Sequence, residues 1–156
     1  MQTRPKIKIV DNTELRDRID SLYEELPQKL LARWSLLIAK RVLILADITY
    51  TKIPEITNGF KINKLWQKGN ARMYDVRQAG FAIHKIAREC NSDIQKIALR
   101  TTGQAVASGH MREHAMVASD YAIKMIGTIS GDDIKAITSE REWQFNQLKK
   151  LSSKNN

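Results

Sequence analysis

The chain holds a single cysteine, Cys90, in 156 residues. No intrachain disulfide and no multi-cysteine zinc site can form from one thiol. Proline is also scarce, and two of the three, Pro27 and Pro54, fall where helical patterns meet. Long apolar runs are missing. The best, Leu36 to Ala46, is interrupted by Lys40-Arg41, well short of the ~18 residues a membrane span needs. The N-terminal Met1 to Val10 lacks the apolar centre of a signal peptide, so a cytoplasmic location and no membrane partner are expected. There is no nucleotide-binding glycine loop and no Gly-x-Ser-x-Gly. No acid pair has a spacing that selects it as catalytic, and no cofactor is expected.

What remains is a chain of ordinary hydrophobic content with an excess of base. Its length suits one domain with a substantial core. The net charge is +9, and it is unevenly placed. Residues 26 to 100 hold fourteen Lys and Arg against five Asp and Glu; the remainder holds twelve of each. A basic middle attracts an acidic protein surface, a nucleic acid or an anionic ligand.

Hydrophobic spacing is helical almost throughout. After an arm over residues 1–11, with Lys6-Ile7-Lys8-Ile9 in alternation, Asp11 and Asn12 are cap residues. Glu14 stands three after Asp11, as in a capping box. Leu15, Ile19, Leu22, Tyr23 and Leu26 mark a first helix, which Pro27 ends. Leu30, Leu31, Trp34, Ile38, Val42 and Leu45 mark a second. Ile48 to Ile53 reads as a short extended connection without a partner strand. Pro54 opens a third helix that Gly69 closes, and Asn70 caps a fourth carrying Met73, Tyr74, Arg77, Phe81, His84 and Ala87. Ser130-Gly131-Asp132-Asp133 is a turn before a last helix with Ile137, Trp143 and Leu148. Residues 151–156 read as a polar tail.

The organising stretch is Ser92 to Ile129. Ile94, Ile97, Ala98, Thr101, Ala105 and Ser108 recur at helical steps, as do Ala115, Ala118, Ala122, Met125 and Ile129. Small residues on such stripes let helices approach closely. The expected fold is all-α: a single-domain antiparallel bundle of about seven helices around a small-residue central hairpin. Gly109 is the expected break, at C′ in the left-handed conformation, although one continuous helix through it is also compatible with the pattern.

The same stretch carries a resemblance. Thr102-Gly-Gln-Ala-Val-Ala-Ser-Gly-His110, then His114-Ala115, then Asp120-Tyr121-Ala122, resembles the signature of the immunity family five-like proteins of bacterial polymorphic toxin systems. Ala32-Arg33-Trp34, Trp66 with Gly69, Ala82 to Arg88 and Glu142-Trp143-Gln144 agree in order, so the resemblance covers about residues 30 to 148. Met111-Arg112 departs from the small or proline-containing spacer of that family, which implies a less sharp bend. The resemblance implies a helical protein that binds and neutralises a cognate toxin without catalysis.

Three groups of residues carry chemistry. His110-Met111-Arg112-Glu113-His114 matches the letters of an inverted zinc-protease motif, and histidines four apart share a helix face. A third ligand is not evident, so the better reading is structural: His110 bonding free carbonyls at the bend, His114 packing in the next helix, His84 in the same region. Asp120 pairs with one of Arg33, Arg88, Arg100 or Arg141 to fix helix register, a reading preferred over an anion pocket. Lys61, Lys64, Lys68, Arg72 and Arg77 cluster around Trp66 and Tyr74, giving charge plus stacking groups suited to nucleic acid. Cys90 lies six residues from His84, off its face, and makes a poor nucleophile–base pair. The first functional reading is a toxin-binding protein whose basic region meets an acidic toxin surface. The alternatives are a nucleic-acid-binding module and a metal-dependent enzyme using His110 and His114.

Overall fold

The computed structural model describes residues 2–154. Seven α-helices carry the chain: α1 (Thr13–Glu25), α2 (Gln28–Leu45), α3 (Pro54–Gln67), α4 (Met73–Glu89), α5 (Asp93–Ala107), α6 (Glu113–Ser130) and α7 (Ile134–Lys154). Among the described residues there is no strand. The connection before α3 holds one 3-10 turn, Tyr50–Lys52, rather than the extended segment its β-branched residues suggest.

The hairpin of α5 and α6 is the centre of the bundle. α5 packs most extensively on α4 and α6, and α2 lies against both hairpin helices. α3 packs on α4, and α7 packs on α6, α2 and α1. The inward stripe is small: Ala98, Thr101, Thr102 and Ala105 of α5 and Ala115, Ala118 and Ala122 of α6 have no exposed surface. The two threonines cost little inside, because Thr101 Oγ1 and Thr102 Oγ1 donate to the carbonyls of Ile97 and Ala98 at 2.9 and 2.8 Å. Larger side chains from the surrounding helices fill the layer outside this seam, among them Leu31, Trp34, Ile38, Ile56, Ile83 and Leu148. Each contributes about 1.5–3 kcal/mol by leaving water. The Trp34 indole N–H donates to the Gln144 carbonyl at 2.9 Å, which locks α2 to α7.

The hairpin does break at Gly109, but not for the reason its glycine suggests. The residues with positive φ among those described are Gly69, Gly131, Asp47 and Asp132; Gly109 is not one of them. A side chain there has no room instead: a Cβ on Gly109 would stand 2.8 Å from Val76 and 3.1 Å from Trp66. Close approach, not handedness, selects the glycine. Arg112 of the departing spacer anchors the turn, donating to the Tyr23 carbonyl and stacking 4.7 Å over the Tyr23 ring.

Two caps differ from the pattern. Asn12 alone caps α1, its side chain accepting from Leu15 N–H at 3.1 Å, because Asp11 is drawn away to Arg141. At α4 the cap is Arg72 rather than Asn70, with Asp75 accepting from the Arg72 backbone N–H at 3.0 Å. The N-terminal arm is tied down at Thr3, whose N–H and hydroxyl both donate to Asp20, at 2.6 and 3.0 Å. Residues 151–154, read from sequence as tail, continue α7; Met1, Asn155 and Asn156 lie outside the described residues.

Candidate functional site

Asp120 is structural. It is 2% exposed on α6 and receives three charge-assisted bonds. Arg16 Nε and Nη2 donate at 2.9 Å each, and Arg141 Nη2 donates at 2.7 Å. Arg141 also forks onto Asp11 at 2.9 and 2.7 Å. Burial alone would lower the pKa of Arg16, but its bond to Asp120 and the surrounding carboxylates outweigh this and raise it. The network joins the arm, α1, α6 and α7 through a planar fork on each arginine. Of the four arginines that sequence proposes as partners, only Arg141 reaches Asp120. Arg33 instead donates to Gln67 at 3.2 Å, and Arg88 and Arg100 lie elsewhere.

The basic residues of the middle segment divide. Lys61, Lys64 and Lys68 share one face of α3, as their three- and four-residue spacing requires. Lys40 of α2 joins them around a depression of about 410 Å³ with Tyr50, Thr57, Phe60 and Leu65. No acidic residue lines it. Lys40 has its pKa lowered, first by burial and then by Lys64, and its ammonium stands 5.7 Å over Phe60. Trp66 does not join this face. It lies a little over a third of a turn round α3 from Lys61, against Gly109. Arg72 is occupied at the α4 cap by Asp75 and by the Tyr74 ring at 5.6 Å, and Arg77 lies over Phe81 at 5.1 Å. The expected mixture of lysines, arginines and stacking rings around Trp66 is therefore corrected to a lysine surface on α3 and a separate arginine–aromatic surface on α4. Neighbours in sequence here occupy different helix faces.

The histidines meet through a residue that sequence reasoning passed over. Gln104 of α5 reaches His114 of α6, where the Gln104 Oε1 to His114 Nδ1 distance is 2.6 Å. Its Nε2 lies 3.5 Å from His84 Nε2 on α4. A carbonyl oxygen only accepts, so His114 carries its proton on Nδ1; an amide N–H only donates, so His84 Nε2 is the accepting nitrogen. Gly103 makes space for the His84 ring, since a Cβ there would stand 2.7–2.8 Å from three ring atoms. Burial, followed by Arg100 and Arg88, lowers the pKa of His84. Burial, followed by His110, Lys6 and His84, lowers that of His114, against an opposing pull from Glu113. Both shifts favour the neutral ring.

His110 stacks on His114 with ring centroids 5.9 Å apart and a 30° tilt. Its Nδ1 is buried without a hydrogen-bond partner, so the expected bond from this ring to free carbonyls is not made through Nδ1. The cluster fits zinc poorly. His114 Nδ1 already serves Gln104, Glu113 is exposed, and among the described residues no three His, Cys, Asp or Glu side chains are placed to hold a metal ion. The Cys90 thiol lies 3.7 Å from the Ser92 carbonyl. Among the described residues no helix is long and apolar enough to cross a membrane.

A family model described as Imm-5 like putative immunity protein matches residues 21–151. No curated protein and no solved structure matches the chain significantly.

Proposed function

We propose, from the premise that this chain belongs to the Imm-5 like immunity protein family, that it binds and neutralises a cognate toxin domain without catalysing a reaction. The observation that carries the contact is the lysine depression on α2 and α3. Four ammonium groups surround it with no carboxylate among them, and burial with the neighbouring Lys64 lowers the pKa of Lys40. A surface of that kind gains most from a partner that brings negative charge. The reading therefore assigns the toxin an acidic contact surface, and disfavours a toxin whose own contact surface is a basic nucleic-acid cleft.

Nucleic acid is the second reading, favoured by the same charge. One ring of the depression argues against it. Phe60 is only 5% exposed and meets Tyr50 edge to face at 5.6 Å and 72°, so Phe60 offers no free face for a base to stack on.

The test is a pair of titrations on the wild-type protein at physiological salt. One uses the product of a toxin gene adjacent to the gene for this chain, the other non-specific DNA and RNA. A tight toxin complex is expected, with nucleic-acid binding lost at moderate salt. The Lys61→Glu/Lys64→Glu/Lys68→Glu variant should associate with the toxin about ten-fold more slowly or worse and keep its fold. Tight nucleic-acid binding with no affinity for the toxin would remove the immunity reading.

A further inference from the structure

We propose that the cavity between α4, α5 and α6 is a binding site for a phosphorylated small molecule. It measures about 310 Å³ and is lined by His84 and Arg88 of α4, Arg100 and Gln104 of α5, and Tyr121 of α6. Each of the first two helices contributes a pair four residues apart, which places both members on one face. No carboxylate lines the cavity.

The two arginines differ from the paired ones in the molecule. Arg16, Arg41, Arg72 and Arg141 each hold a carboxylate. Among the described residues, Arg88 and Arg100 make no hydrogen bond and no ion pair, and the Tyr121 hydroxyl makes no hydrogen bond. Two guanidinium forks, a phenol and an amide thus line one space from three helices. A phosphoryl group has three terminal oxygens, one more than a carboxylate, and so can take both forks at once. Electrostatics agree with geometry, since Arg100 and Arg88 both act on His84 as positive charges that lower its pKa. An adjoining cavity of about 340 Å³ shares Arg100 and Tyr121 and adds Lys96, Lys124 and Thr128, with Asp93 its one acid. The remainder of a ligand, carrying further negative charge, has room and partners there.

This site is separate from the lysine depression and does not depend on the toxin reading. The probes are inorganic phosphate and pyrophosphate, titrated into the ¹⁵N-labelled full chain at physiological salt and followed by amide and His84 ring resonances. Saturable shifts confined to residues around 84, 100 and 121 are expected, with pyrophosphate the tighter because it extends into the second cavity. Arg88→Gln and Arg100→Gln should each weaken pyrophosphate by about ten-fold or more, the loss of one charge-assisted pair. Arg88→Lys keeps the charge but not the fork and should fall between. The Lys61→Glu/Lys64→Glu/Lys68→Glu variant should bind pyrophosphate as the wild type does. No saturable shift, or equal weakening in the lysine variant, or indifference to both arginine substitutions in folded protein, would overturn the assignment.

Discussion

Asp120→Asn should be among the most destabilising isosteric changes in this protein. The wild-type carboxylate is 2% exposed and, among the described residues, is the one group to which both Arg16 and Arg141 hydrogen-bond. Asparagine keeps the volume but removes the charge, and its amide N–H₂ must point at a guanidinium. Arg141 keeps Asp11, Ser119 and Gln144 as acceptors. Arg16 is left with the backbone and hydroxyl oxygens of Thr3 at 3.1 and 3.2 Å and only the field of nearby Asp20 and Asp11. Removing one partner of a buried pair costs about 3–5 kcal/mol, a large part of the ~5–15 kcal/mol that holds a domain together. At ~2–4 °C per kcal/mol for a chain of this size, Tm should drop by roughly 10 °C. Urea unfolding followed by circular dichroism at pH 7 measures it, with Lys61→Glu as a surface control expected within about 0.5 kcal/mol. Because Arg16 and Asp120 touch, adding Arg16→Met should cost less than the sum of the two single changes. A loss below about 1 kcal/mol for Asp120→Asn would refute the reasoning, since it would mean that water or Asp20 already satisfies Arg16.

Gly103→Ala should leave stability within about 1 kcal/mol, because a Cβ favours helix while displacing only a side-chain end; the His84 ring, 2.7–2.8 Å from that Cβ, should swing away from Gln104. Unchanged His84 ring resonances in this variant would contradict the packing described. His84 and His114 both have pKa values lowered from 6.5, so the unfolded chain takes up protons that the folded chain refuses, and stability should fall as pH drops through about 6.5. The urea midpoint from pH 7.5 to 5.5 reads this directly, and His84→Gln with His114→Gln should flatten the slope. Purified protein should hold no stoichiometric zinc by elemental analysis; one metal per chain, lost in His110→Ala and His114→Ala, would reverse that expectation.

The helices were legible because each is written in local spacing: the stripes of Leu31, Trp34 and Ile38 or of Ala115, Ala118 and Ala122 need no knowledge of a partner. Lys61, Lys64 and Lys68 were legible for the same reason. Spacing within one helix does not say what faces it, and each correction has that origin. Gly109 signalled a left-handed cap, yet its cause is Val76 and Trp66 arriving from other helices. Asp11 looked like a cap until Arg141, 130 residues away, claimed it. Trp66 seemed to belong with the lysines by adjacency, although the helix carries it away from them. Gln104 had a signal that went unused: it is a long amide in a stripe of glycine, alanine and threonine, where only a side chain with a specific partner is worth its polar cost. Once Gly80 and Gly103 allow α4 and α5 to approach, that amide is brought to His84, and its other end to His114. The small-residue seam therefore does more than admit close packing. It decides which polar groups meet, and it also leaves Arg88 and Arg100 at a shared cavity between the helices with no acid of their own.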